Sequence, residues 1–113
     1  MRKTTVLHCI ASPFWGGGER YVYDLASQML ADGHRVIVYS PDSKILKEQF
    51  SKLEKYSDFS FVQKKKLFAA NLLNLIHVIE HQQVDVVHIH NTKTLATAAL
   101  AKTLSSRKFR LVL

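Results

Sequence analysis

The sequence predicts an α/β fold, a doubly wound parallel sheet of about five strands in the order 3-2-1-4-5 with helices on both faces. Two observations predict it. Short β-branched or apolar runs alternate with stretches of helical period along all 113 residues. Turn-forming residues separate the two kinds of segment, and no internal repeat or low-complexity linker interrupts them. Such alternation means βαβ units, and right-handed crossovers leave few topologies for the chain to choose from. Residues 1–113 are expected to form one domain.

Residues 4–10 form a β-branched, apolar run that ends in Ala11-Ser12-Pro13 and Gly16-Gly17-Gly18, a buried strand followed by a turn-rich loop. From Glu19 the period changes: Val22, Leu25, Ala26, Met29 and Leu30 make one stripe of a helix. Gly33 is expected to stop that helix as a residue able to take positive φ. Residues 35–39 read as the second strand, closed by Ser40-Pro41-Asp42. Ser43 is placed to cap a helix that turns Leu46, Phe50 and Leu53 inward. A brief third strand spans residues 59–62. Phe68, Leu72, Leu75, Ile76 and Ile79 then mark the clearest helical stripe. Residues 84–89 read as a strand, 94–104 as a small-residue helix, and 109–113 as a fifth strand.

Composition narrows the function classes. An apolar fraction of 47% argues against disorder. The single cysteine, Cys9, cannot form an internal disulfide, and no apolar run approaches the length of about 18 residues needed to span a membrane. A soluble, cytoplasmic chain is expected. Its 16 Lys and Arg against 9 Asp and Glu give a net charge of +7. More than half of that excess falls in residues 43–66, which hold Lys44, Lys47, Lys52, Lys55, Lys64, Lys65 and Lys66. Arginine is scarce there and no aromatic-rich RNA-binding motif appears, so nucleic acid is not an expected partner. Lys64, Lys65 and Lys66 are expected at the start of the helix after the third strand. They form either a solvated turn or a patch for an anionic acceptor or an anionic membrane surface. The second option would put the protein at the inner face of a membrane.

Doubly wound sheets take ligands beyond the carboxyl ends of their strands, where the winding reverses, here between strands one and four. Two segments meet there. The first is residues 12–20, in which Gly16, Gly17 and Gly18 open a helix whose free N–H groups suit a phosphate. Its spacing matches neither the dinucleotide G-x-G-x-x-G nor a P-loop, so a plain flexible loop is the competing reading. The second is His88-Ile89-His90-Asn91-Thr92. His88 and His90 point to one face of the strand. With no third ligand at a plausible spacing, a metal is not expected, and recognition of a sugar or phosphate by His90 and Asn91 is preferred. His8 reads as a hydrogen-bonded core histidine, and His88, nearer the strand interior than His90, reads equally as a core histidine or as part of the same cleft. Cys9 reads as a small core residue and Asp85 as the start of a strand at the far rim.

The run from Gly16 to Arg20, then Leu25-Ala26, Leu30, Gly33-His34-Arg35-Val36 and Val38, resembles the opening of GT-B glycosyltransferases, in particular retaining family 4. Asp85-Val86-Val87-His88-Ile89-His90-Asn91 is similar to the same family's D-V-V-H-x-H motif. The resemblance implies transfer of a sugar from a nucleotide-sugar donor to an acceptor hydroxyl, in glycan or glycolipid biosynthesis, by two Rossmann-like domains facing each other across a cleft. It implies that this chain is an incomplete acceptor-side, N-terminal domain. Gly16, Gly17 and Gly18 would lie near the donor diphosphate. Trp15, Glu19, Arg20, His90 and Asn91 would lie around the acceptor or cleft. The nucleotide-sugar is a substrate, and no cofactor is implied.

The family's N-terminal domain continues to a T-x-H segment beyond Arg110-Leu111-Val112-Leu113, and its second domain holds the donor. The chain alone is therefore expected to be inactive. Leu111, Val112 and Leu113 are expected to leave an exposed apolar edge that invites self-association. A non-catalytic α/β module that binds an anion or nucleotide is the alternative reading. A signalling receiver is disfavoured, because the first strand ends in Ile10-Ala11-Ser12 with no acidic residue.

Overall fold

The computed structural model describes residues 3–64, 67–90 and 94–113. Five strands make a parallel sheet in the order β3-β2-β1-β4-β5, as expected. They are β1 (Thr5–Cys9), β2 (Arg35–Ser40), β3 (Phe59–Gln63), β4 (Val86–Ile89) and β5 (Arg110–Val112). The helices are α1 (Gly17–Ala31), α2 (Lys44–Phe50), α3 (Phe68–His81) and α4 (Leu95–Leu104). A 3₁₀ turn, Ser51–Leu53, follows α2.

Side-chain alternation along the strands divides the core into two layers. Leu7, Cys9, Ile37, Tyr39, Val87 and Ile89 pack under α3 and α4. Ile10, Val36, Val38 and Phe59 pack with Val22, Ala26 and Leu30 of α1 and with Leu46 and Phe50 of α2. All five residues of β1 are buried, because the central strand of a doubly wound sheet is covered on both faces.

The helix ends follow from local chemistry. The Gly33 N–H bonds to the Leu30 carbonyl at 3.1 Å and the His34 N–H to the Met29 carbonyl at 3.0 Å, with Gly33 at φ +89°. That is a Schellman motif ending α1. Ser43 caps α2 by accepting from the Leu46 N–H and also donates to the Pro13 carbonyl, which ties the loop after β1 to this helix. α3 ends in the same motif without a glycine. Gln83 takes φ +54°, and the Val84 N–H reaches the Ile79 carbonyl at 3.0 Å. Val84 therefore belongs to the end of α3, and β4 starts two residues later than expected.

Three further expectations are corrected. Phe68 is 52% exposed, because it opens α3 at the rim where the sheet no longer reaches. Leu111 is half-buried against the α3/α4 core, so of the three final residues only Leu113 stands largely clear. Lys64 is not a solvated residue of a helix start: α3 begins at Phe68, and Lys64 is half-buried with its Nζ 6.0 Å from the centre of the Tyr39 ring. Lys65 and Lys66 lie outside the described residues. No helix among the described residues is long and apolar enough to cross a membrane.

Candidate functional site

The glycine loop and the end of β4 meet as the topology requires. Parallel pairing of β1 with β4 sets His8 beside His88. His90, two residues on, returns to the same face, its ring centre 4.1 Å from that of His88 and 5.1 Å from that of His8. The Nδ1 of His8 and the Nε2 of His90 are 2.9 Å apart, a hydrogen bond. Tyr21, one turn into α1, stands edge-on to His90 with ring centres 6.1 Å apart. Asn91 lies outside the described residues.

All three imidazoles are biased toward the neutral form. Burial, then the charges of His90 and His88, lowers His8 to about 3. Burial and then His88 lowers His90 to about 4, and burial alone lowers His88. A neutral ring carries one N–H, and the Nε2 of His8 is buried without a partner. An orphaned N–H there would be costly, so the favoured tautomer has His8 donating from Nδ1 to His90. The Nδ1–H of His90 is then left to donate elsewhere.

The reason for expecting no metal needs correcting. His8, His88 and His90 offer ring nitrogens that all lie within 4.8 Å of one another, a set of three neutral imidazoles such as a zinc site uses. The third member was missed because it lies on β1, and only the strand register brings it beside β4. His8 sits as read, fully buried and hydrogen-bonded, whereas His88 is only half-buried and meets its neighbours through ring contacts. Cys9 is buried with its thiol pushed up to about 12 by that burial.

At the glycine loop, Gly16 is the N-cap of α1 in an extended conformation, with no side chain to bond the first-turn amides. The first bond back along the helix is from the Arg20 N–H to the Gly16 carbonyl, so the amides of Gly17, Gly18 and Glu19 are not spent within the helix. A Cβ added at Gly17 or Gly18 would meet nothing within 4 Å, whereas one at Gly16 would stand 3.3 Å from the Glu19 carboxylate. Glu19 is the acidic residue of the first turn, where the macrodipole favours it. Arg20 is exposed and pairs with Asp24 at 3.2 Å. Trp15 anchors the loop, its ring edge-on to Tyr23 and Phe50 at 6.1 and 5.8 Å between centres.

Asp85 stands at the opposite rim, as expected. Its Oδ2 accepts from the Thr5 N–H and its Oδ1 pairs with Arg107, both at 2.9 Å. A concavity of about 440 Å³ beside Lys47, Ser51 and Tyr56 opens against α2, the 3₁₀ turn and β3 and contains none of these groups.

Comparison with known proteins agrees with this fold. The family model described as Glycosyltransferase Family 4 matches residues 15–113. A glycosyltransferase from Rickettsia africae superposes with a TM-score of 0.79 at 21% identity, over 98% of this chain and 30% of that one. Anabaena HepE, crystallised with UDP and glucose, gives 0.69 at 18% identity over 96% of this chain and 29% of its own. The same protein with UDP-glucose gives 0.68, 18%, 95% and 28%. The chain thus spans under a third of the length of these structures, and at such identities the likeness is one of fold. A search of curated protein sequences finds no match.

Proposed function

The chain belongs to Glycosyltransferase Family 4, and from that premise we propose that it is the acceptor-side, N-terminal domain of a GT-B enzyme. The enzyme would move a sugar, with retention of configuration, from a nucleotide-sugar to an acceptor hydroxyl in glycan or glycolipid synthesis at the cytoplasmic side of the cell. The observation that carries the reading is the family match over residues 15–113.

In this reading the open amides of Gly17 and Gly18, with the positive end of α1, face the donor diphosphate. Glycine at these positions lets the backbone approach the phosphate oxygens closely. His90 donates its remaining N–H to a hydroxyl or phosphate oxygen at the cleft, and His8 holds its ring in place from behind. Asn91, next in sequence, is proposed to share in that recognition. The cluster works as hydrogen-bonded imidazoles, without a metal. In this reading residues 1–113 bind and position, and the chemistry needs the second domain of a GT-B enzyme.

The test is to titrate the isotope-labelled 113-residue chain with UDP and UDP-glucose. Amide shifts confined to Gly16–Arg20 and its neighbours are expected, at about millimolar affinity or weaker, since a single loop must offset the cost of immobilising a ligand. Shifts elsewhere alone would overturn the loop assignment. Hydrolysis or transfer by the chain itself would overturn the division of labour between domains.

A further inference from the structure

A second cavity, of about 220 Å³, opens at the carboxyl ends of β1 and β2 on the α3/α4 face, opposite the histidine cluster. Cys9 and Tyr39 come from the strands, Asn71 from α3 and Thr97 from α4, with Lys64 bordering it from the end of β3. Its volume is below the roughly 300–1,000 Å³ of pockets that hold drug-sized molecules, which points to a ligand of one ring or less.

Its electrostatics are one-sided. Lys64 is half-buried, and among the described residues no carboxylate lies within ion-pair distance of it. The neighbouring acids do not supply a counter-charge: burial raises both the Cys9 thiol and the Tyr39 phenol, so both stay neutral. The same burial lowers Lys64, as expected of an ammonium held away from water without an ionic partner. A cation placed so is costly unless an anion joins it.

The polar groups around it have unused capacity. The Oδ1 of Asn71 is buried without a hydrogen-bond partner. The Tyr39 hydroxyl is committed, donating to the Asn71 carbonyl and accepting from Asn74, both at 3.2 Å. That bridge fixes α3 against the sheet and leaves the Thr97 hydroxyl and the Asn71 amide for a ligand.

We propose that this cavity binds a small hydroxylated molecule through a single anionic group, phosphate or carboxylate, which pairs with Lys64 while its hydroxyls meet Asn71 and Thr97. That the molecule is the glycosyl acceptor rests on the function proposed above; that it binds here does not.

The experiment titrates the 113-residue chain with glycerol 3-phosphate, gluconate, inorganic phosphate and glycerol, following amide and side-chain signals of Tyr39, Asn71 and Thr97. Either organic anion is expected to bind at least tenfold more tightly than glycerol, and the better of the two identifies the anionic group. Inorganic phosphate is expected to bind more weakly than glycerol 3-phosphate, because it lacks the hydroxyl contacts. Lys64→Met is expected to abolish the preference for anions, and Thr97→Val to weaken the organic anions but not inorganic phosphate. Equal binding of glycerol and the anions, or an unchanged Lys64→Met variant, would overturn the proposal. Should Lys64→Met fail to fold, the Thr97→Val comparison decides it. Binding here by molecules that the two-domain enzyme does not glycosylate would keep the cavity and remove only the acceptor assignment.

Discussion

His8 and His90 share a 2.9 Å hydrogen bond across 82 residues of sequence, joining the central strand to the rim where the ligand is proposed to sit. The bond holds while both rings are neutral, and acid should therefore weaken the fold. In the unfolded chain each ring takes a proton near its ordinary value of 6.5, whereas in the fold His90 stays neutral to about 4 and His8 to about 3. Between those limits the unfolded chain binds more protons, so stability falls as pH falls below 6.5. The fully buried His8 should contribute about 1.4 kcal/mol per pH unit in that window. His90 should add less, since it is half-exposed. Urea denaturation at pH 7.5 and 5.5 measures the loss, and His8→Gln should flatten it. An equally steep pH dependence in that variant would place its origin elsewhere.

The same three rings define a test for metal. If the cluster is a hydrogen-bonded one, an equivalent of Zn²⁺ should leave the melting temperature unchanged. A site that binds the native state 100-fold below the free metal concentration would add about 2.7 kcal/mol and be plain in a melt. A rise that disappears in His88→Gln would assign a three-histidine metal site instead.

How much of this was legible in the sequence depended on range. Strand order, the two layers and the meeting of the glycine loop with β4 follow from period and topology, which local runs of residues encode. Ser43 and Gly33 announced their caps, because a hydroxyl and a glycine are the residues those positions favour. Gln83 carried no such signal, and β4 was begun too early for that reason. The third histidine and the inward turn of Lys64 were not legible at all. The first depends on the register of two strands far apart in sequence, and the second on the burial of a residue whose neighbours read as a soluble turn.

The two Schellman ends give opposite predictions. Gly33 lies at φ +89° with nothing within 4 Å of an added Cβ, so Gly33→Ala should cost about 1–2 kcal/mol through backbone strain alone. Gln83 already bears that cost at φ +54°, and Gln83→Gly should stabilise by up to about 1 kcal/mol. Chemical denaturation of both variants checks the pair. Two changes of the same sign would remove the backbone explanation.

Ser43 joins two segments with one hydroxyl, accepting from Leu46 and donating to Pro13. Ser43→Ala should cost about 1–2 kcal/mol, the usual loss of a cap together with an unmade bond to a part-buried carbonyl. Ser43→Thr keeps the hydroxyl and should recover most of it. Hydrogen exchange should also quicken in residues 12–16 of the alanine variant, and protection unchanged there would show that the Pro13 bond does not hold the loop.

Gly17 and Gly18 separate stability from function. Both lie in the first turn of α1 with open space around them, so the fold itself gives no reason for glycine. Replacing either with alanine lowers the entropy of the unfolded chain and improves helix propensity. The fold should gain up to about 0.5–1 kcal/mol. The proposed diphosphate contact should lose, because a methyl group would stand where the backbone meets phosphate oxygens. A more stable Gly17→Ala chain whose UDP-induced amide shifts at residues 16–20 vanish is the expected outcome, read from one urea curve and one titration. Undiminished UDP shifts in both alanine variants would mean that these glycines do not serve a close phosphate contact.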